Sequence, residues 1–251
     1  MTSSDLIKPF FVNSIAKSGT HLLRPLLEGV PNLKHDAFIY PGHLHQLDEH
    51  RKILSKLKPN HFANGHLFHS QEYVQMIKQL HLKQLFLYRD PRDIVVSYAY
   101  FFMRFPDHPY RRFFTENNMS VKERCSYFIN GNLTGGLVRP NINNWYRKFL
   151  GWKNEDGVLP ISYESLVHSD FSQKEQLARI LHYLNVDKQS LEIDKVIEQM
   201  QRNADPSKSL TYRKGTSGDW QKEFDADLKS DFKTVAGDLL IELGYEKDKN
   251  W

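Results

Sequence analysis

Only one cysteine, Cys125, stands in the 251 residues. A lone thiol excludes an internal disulfide and removes the Cys pairs that most structural zinc sites use. It fits a reducing compartment, and a cytoplasmic location is the default expectation. No apolar run reaches the ~20 residues that a bilayer-spanning helix needs, so no membrane span is expected. The opening residues "MTSSDLIKPFFVNS" lack a basic segment followed by a long apolar one, so no secretory leader is expected. Repeats, low-complexity tracts and Gly/Ser linkers are also missing. One continuous domain over residues 1–251 is the simplest organisation.

Charge of either sign is not concentrated. Lys and Arg number 34 against 30 Asp and Glu, a net charge of +4. The basic residues form no stripe of the kind that grips a duplex, so no nucleic-acid partner is expected. The small surplus suits a polyanionic small ligand. Histidine is plentiful, with His43, His45, His50, His61, His66 and His69 in one stretch. No H-E-x-x-H pattern or Cys pair accompanies them, and no metal site is expected.

What is present reads as strands alternating with helices. "PFFVNS", "KQLFLY" and "GVLPISY" predict strands, with Pro160 suited to a start or an edge, and "NHFANGH" predicts a short strand ending in a turn. Helical spacing follows in "GTHLLRPLLEGV", from about His43 to Lys58, and in "SQEYVQMIKQLH" with its serine cap. "DPRDIVVSYAYFFM" adds Asp90 as cap and Pro91 at the first helical position. "VKERCSYFI", "NINNWYRKFL", "SQKEQLARILHYL", "EIDKVIEQMQ" and "LKSDFKTVAGDLLIEL" predict further helices. The expected fold is α/β: a central, mostly parallel sheet flanked by helices on both faces, with a P-loop-like phosphate-binding loop. Ligands of such sheets sit at the carboxyl ends of the strands. That rule singles out Lys17 to Thr20, His66, Arg89 and Tyr163.

Three stretches carry the chemistry. "AKSGT" ends the first strand and enters a helix, where backbone N–H groups gather an anion and Lys17, Ser18 and Thr20 add a charge and two hydroxyls. Gly19 permits close backbone approach. The usual ATP/GTP loop is G-x-x-x-x-G-K-[ST], and here the first glycine is absent. "LFLYRDPRDIVVSY" places Arg89 after a strand and Ser97 about two helical turns beyond it, able to hold a second phosphate. The bland alternative pairs Arg89 with Asp93 on the surface. "YRKGTSGDW" is a basic, glycine-bearing loop, fit for a polyanion or simply solvated.

Taken together and in order, these motifs resemble the cytosolic-type sulfotransferase family, which uses 3′-phosphoadenosine 5′-phosphosulfate (PAPS). "AKSGT" is similar to its P-K-S-G-T loop, "YRDPRDIVVSY" to its R-[ND]-P-[KR]-D-x-x-x-S-Y segment, and "RKGTSGDW" matches its R-K-G-x-x-G-D-W loop. The resemblance runs from about Phe10 to Leu243. It implies that Lys17, Ser18, Gly19 and Thr20 hold the 5′-phosphosulfate, with Lys17 stabilising the leaving oxygens. Arg89, Ser97, Arg213, Lys214 and Gly215 are implied for the 3′-phosphate, and Tyr163 for the adenosine. His66, in "NGHL", matches the histidine of the family's K-T-H-L and is implied as general base. The implied reaction moves a sulfuryl group to a small hydroxylated acceptor and releases adenosine 3′,5′-bisphosphate, without a metal.

The chain departs from the pattern at several points. His21 and Leu22 stand where the family has threonine and an adenine-stacking tryptophan. Asn64 replaces the lysine two before the histidine. The family's Ser/Phe stretch over adenine has no clear match in "EQMQRNADPSKS". The dimer segment after G-D-W is replaced by "QKEFDADLKS", so that dimer mode is not expected. Acceptor contacts are expected from "FIYPGHLH" and from Phe101, Phe102, Phe105, Tyr110, Arg111 and Arg112, which also read as ordinary core and surface. Two other readings stay open: a catalytically silent nucleotide-binding protein of the same fold, and a small-molecule kinase.

Overall fold

The computed structural model describes residues 6–40, 44–134, 136–186, 192–204 and 215–251. No linker composition marks a boundary, yet contacts group the chain into two compact units. One comprises residues 1–88 with 149–216, the other residues 89–148 with 217–251. In chain order the first unit supplies β1 (Phe10–Ser14), α1 (Thr20–Glu28), β2 (Lys34–Ile39), α2 (Leu47–Leu54), β3 (His61–Gly65), α3 (Gln71–Gln79) and β4 (Lys83–Tyr88). The second unit follows with α4 (Pro91–Phe101), α5 (Pro109–Glu116) and α6 (Val121–Asn130), and α7 (Ile142–Leu150) returns the chain to the first. There it forms β5 (Val158–Ser162), α8 (Tyr163–Val167), α9 (Asp170–Tyr183) and α10 (Ile193–Asn203). The second unit ends with α11 (Trp220–Glu223) and α12 (Ala226–Leu243).

Among the described residues the strands form one sheet in the order β2-β3-β1-β4-β5. Every pairing is parallel. β1 is central and fully buried, so Phe10, Phe11 and Val12 follow one another as an apolar run rather than an alternation. One face carries Phe10, Val12, Phe62, Leu85, Leu87 and Ile161 into a core with Leu23, Leu26 and Leu27 of α1, Leu177 and Ile180 of α9, and Met200 of α10. Residues of the opposite parity, Phe11, Ala63 and Phe86, are equally buried, so the sheet is covered on both faces. Gly29, after α1, lets α10 approach: a Cβ there would lie 2.5 Å from the Met200 Cα.

The edge strand β2 has no counterpart in the sequence reading, for a physical reason. "KHDAFI" alternates exposed and half-buried positions and carries Lys34 and Asp36, so no apolar run announces it. Charge and a register shift between His35 and Ala37 blunt this edge against further pairing. Pro160 sits on the opposite edge strand, β5, where a missing ladder donor is tolerated.

The second unit is helical, with an aromatic core. Tyr98 stacks on Phe102 and on Phe128 at 5.3 Å, and Phe102 stacks on Tyr110 at 4.5 Å. Asp90 caps α4, its carboxylate accepting the Arg92 N–H at 2.8 Å. Ser120 and Glu123 form a reciprocal capping box at the start of α6. Within "QKEFDADLKS", Asp225 caps α12, and Lys122 bridges Asp225 and Asp227 at 2.6 and 2.7 Å. No helix among the described residues is long and apolar enough to cross a membrane.

Leu85 is completely buried at the sheet centre. Leu85→Ala is expected to lower stability by about 2–5 kcal/mol in urea unfolding, through lost transfer energy and an unfilled cavity. A change below about 1 kcal/mol would mean that this face of the sheet is not the principal core.

Candidate functional site

The loop leaving β1 lies where connections on the two sides of the sheet diverge, the usual ligand position of an open α/β sheet. It is tied down from within. The Ile15 N–H donates to Leu87 O at 3.0 Å and the Ser18 N–H to Ile15 O at 3.1 Å. The Ser18 hydroxyl is buried against Ile15 O (2.5 Å) and Leu87 O (3.0 Å). Its side chain therefore closes the loop instead of facing outward. Lys17 (φ 73°) and Gly19 (φ 102°) are both left-handed, a backbone pattern that turns successive N–H groups to one side. Helix α1 then opens at Thr20, with the Leu22 and Leu23 N–H groups bonded to Gly19 O. The N–H groups of Thr20 and His21 stand at that helix N-terminus, and the first turn carries no acidic residue.

Gly19 is required by a neighbour as well as by its φ. A Cβ there would lie 2.4 Å from Cδ2 of Tyr163. Tyr163 opens α8 instead of ending β5, and its buried ring packs on the loop.

His66 follows β3, next to β1 in the sheet. Its N–H donates to Ile39 O at 3.1 Å. Its Nδ1 lies 2.8 Å from Ser14 O and 3.0 Å from Ser14 Oγ. A carbonyl oxygen only accepts, so the proton sits on Nδ1 and Nε2 keeps its lone pair. Burial pushes the pKa of His66 down to about 4, against the Ser14 bond; His21 and Lys17 lower it further. The imidazole is therefore neutral at pH 7. Ser14 Oγ also meets Thr20 Oγ1 at 2.8 Å, linking His66 to the loop after β1 through one hydroxyl. Phe38 stands edge-on to His66 at 5.3 Å and is 45% exposed; Tyr40, 6.1 Å from Phe38, is 69% exposed.

Asn64 is buried, and its Oδ1 contacts Nε2 of His35. Burial and then Arg24 lower the His35 pKa, so this neighbour supplies no permanent charge in place of a lysine. Leu22 packs against the hydrophobic core of the first unit. His45 is exposed, His50 is buried beside the Tyr73 hydroxyl at 3.0 Å, and His43 lies outside the described residues.

In the second unit Arg89 opposes Asp93 at 3.2 Å, as the bland reading has it, but the pair is buried and not on the surface. The Asp93 carboxylate also accepts the Gly218 N–H at 2.8 Å and the Trp220 N–H at 3.1 Å. One carboxylate thus orients Arg89 and fixes the G-D-W turn. Sequence reasoning had this residue only as a surface partner; the signal was its position four residues after Arg89 on a helix. Arg89 O accepts the Tyr146 hydroxyl at 3.0 Å. Ser97 is half-buried on α4. Gly215 belongs to the first unit and has φ 68°. Arg213 and Lys214 lie outside the described residues.

Of the aromatic acceptor candidates, Phe102 is buried in the aromatic core and Tyr110 stacks on it, while Phe105 is exposed. The ordinary packing reading holds for Phe102 and Tyr110.

A family model described as "Sulfotransferase domain" matches residues 8–244. Sulfotransferase 1E1 of Cavia porcellus is 25% identical over 169 residues, covering 60% of this chain and 52% of that protein. Sulfotransferase 1B1 of Canis lupus familiaris is 26% identical over 188 residues, covering 66% and 54%. The chain spans about half the length of the curated relatives it matches. Among solved structures, mouse sulfotransferase SULT7A1 complexed with PAP superposes with a TM-score of 0.68 at 21% identity, covering 98% of this chain and 93% of that one. Retinol dehydratase complexed with retinol and PAP gives a TM-score of 0.56 at 15% identity, covering 92% and 81%. At these identities the likeness establishes the fold.

Gly19→Ala is expected to cost about 1–3 kcal/mol from the left-handed backbone alone, and more from the clash with Tyr163. In thermal melts, Gly19→Ala/Tyr163→Ala should recover the clash component but not the backbone component. Full recovery would show that the φ at Gly19 is not strained by a side chain.

Proposed function

Because the chain belongs to the sulfotransferase-domain family, we propose that it transfers a sulfuryl group from PAPS to the hydroxyl of a small acceptor and releases adenosine 3′,5′-bisphosphate. The observation that carries this reading is the contact of His66 Nδ1 with Ser14 O, which leaves Nε2 its lone pair for the proposed role as base. The relatives named sulfotransferases and the PAP in the matched mouse structure support the same chemistry.

The acceptor oxygen attacks sulfur in line as the bond from sulfur to the bridging phosphate oxygen breaks. The acceptor proton passes to Nε2 of His66, and Lys17 balances charge gathering on the leaving oxygen. Positioning and charge stabilisation carry such transfers, as in phosphoryl transfer. The 5′-phosphosulfate is assigned to Lys17, Gly19, Thr20 and the N-terminus of α1. Ser18 serves by holding that loop closed. Arg89, Ser97, Arg213, Lys214 and Gly215 are assigned to the 3′-phosphate, and Tyr163 to the adenosine. This scheme needs no metal. Exposed Phe38 and Tyr40 suit an acceptor with an apolar or aromatic body. The cytoplasm is the proposed setting, in keeping with the single cysteine.

Turnover tests the reading. His66→Ala should lower transfer from PAPS to a panel of phenols and aliphatic alcohols by about 10²–10⁴-fold. Affinity for adenosine 3′,5′-bisphosphate should stay within about twofold. Wild-type turnover in the variant would remove His66 as base. Tight bisphosphate binding with no transfer to any acceptor would favour a silent binding protein.

The pH dependence has a defined sign. In the free protein His66 is neutral above about pH 4, so protonation removes the base only on the acid side. A bound polyanion nearby favours the protonated imidazole and raises its pKa. The acid limb of kcat should therefore lie at higher pH than the acid limb of kcat/KM for PAPS. Coincident limbs near pH 6.5 would contradict the account.

A further inference from the structure

Asn13 is an anomaly in "PFFVNS". It lies at the end of the central strand, it is completely buried, and an aliphatic residue would fill the position at no polar cost. Both ends of its amide are nevertheless used. Nδ2 donates to Leu67 O at 3.2 Å, and the Leu67 N–H donates to Oδ1 at 2.8 Å. The backbone pairing of β1 with β3 stops at Asn13 opposite Gly65. Beyond that point the Asn13 side chain stands in for the next peptide and continues the ladder by one rung, onto the residue directly after His66. Leu67 O also accepts the Trp152 indole N–H at 2.9 Å.

Consecutive residues of β1 thus hold consecutive residues after β3. Side chains alternate across a strand, so Asn13 and Ser14 act from opposite faces. Ser14 binds the His66 ring, and Asn13 binds the peptide that follows it. We propose that Asn13 is a positioning residue for the reaction: it fixes the backbone at His66 so that Nδ1 meets the Ser14 carbonyl and Nε2 stays in the attacking geometry. This rests on His66 being the base. Misplacing a reacting group by about 1 Å can cost ~10²-fold in rate, which sets the scale of the expected effect.

The test compares Asn13→Val in two backgrounds. In the wild type, kcat should fall about 10- to 100-fold, with KM for PAPS and the affinity for adenosine 3′,5′-bisphosphate within about twofold. In His66→Ala, adding Asn13→Val should change the residual transfer by less than about twofold, since residues that act as a unit are not additive. Equal fractional losses in both backgrounds would overturn the proposal and leave Asn13 a stability residue. Nitrogen-15 NMR of the imidazole gives a readout independent of turnover. The Nδ1-protonated form of His66 should be fixed in the wild type and mixed with the other tautomer in Asn13→Val. An unchanged tautomer would overturn the proposal too. Should Asn13→Val fail to fold, Asn13→Asp keeps the volume and the acceptor for the Leu67 N–H while replacing the donor, and permits the same comparisons. If His66→Ala alone transfers at the wild-type rate, the base assignment fails, and the NMR result still decides whether Asn13 holds the ring.

Discussion

A single hydrogen bond, from Nδ1 of His66 to the carbonyl of Ser14, decides what the first unit can do. A carbonyl cannot donate, so this contact chooses the tautomer, and the tautomer leaves Nε2 its lone pair for the proposed role as base. The bond joins residues 52 apart in sequence. It exists because β1 and β3 are parallel neighbours, so that both strands deliver their last residues to the same edge of the sheet. The same edge receives the loop that begins at Ile15. Placing His66 beside the loop that follows β1 is therefore a consequence of strand order, with no special device beyond the register of two strands.

The second unit answers a different problem, how to hold a cation in a buried place. Burying an arginine costs several kcal/mol unless a partner and good geometry offset it. Asp93 is that partner, and it is shared: the same carboxylate takes the N–H groups of Gly218 and Trp220. Asp93 thereby orients the Arg89 guanidinium. Arg92, by contrast, is used up structurally, with bonds to Asp90 and Glu246 and with Trp220 and Trp251 flanking its guanidinium at 3.8 and 4.5 Å. Two arginines three residues apart thus pair with different carboxylates, Arg89 with Asp93 and Arg92 with Asp90 and Glu246.

Much of this was legible beforehand. β1, β3, β4 and β5 stand where strands are expected, and each helix expected from an apolar stripe within the described residues is found. What was hidden has physical causes. β2 is an edge strand with charges, so it lacks an apolar signature. The helix Pro109–Glu116 lay inside a run so rich in aromatics and arginines that composition masked its periodicity; His108 caps it and Pro109 opens it. In the site, residue types with obvious charge stood out: Lys17, His66 and Arg89. Residues that work by orienting others did not. Ser14 and Asn13 read as ordinary ends of a strand, and Ser18 read as a ligand donor before its hydroxyl was seen to close the loop. Hydrogen bonds between distant stretches leave no local pattern.

The central claim is that this fold holds a 3′-phosphorylated adenosine nucleotide, and thermal unfolding tests it most directly. Adenosine 3′,5′-bisphosphate at a hundred times its dissociation constant adds about 2.7 kcal/mol of stability, a rise of several degrees for a chain of this size. The account predicts that rise with the bisphosphate, without added magnesium, and none with ADP and magnesium. A rise only with ADP and magnesium would contradict it and favour a kinase instead.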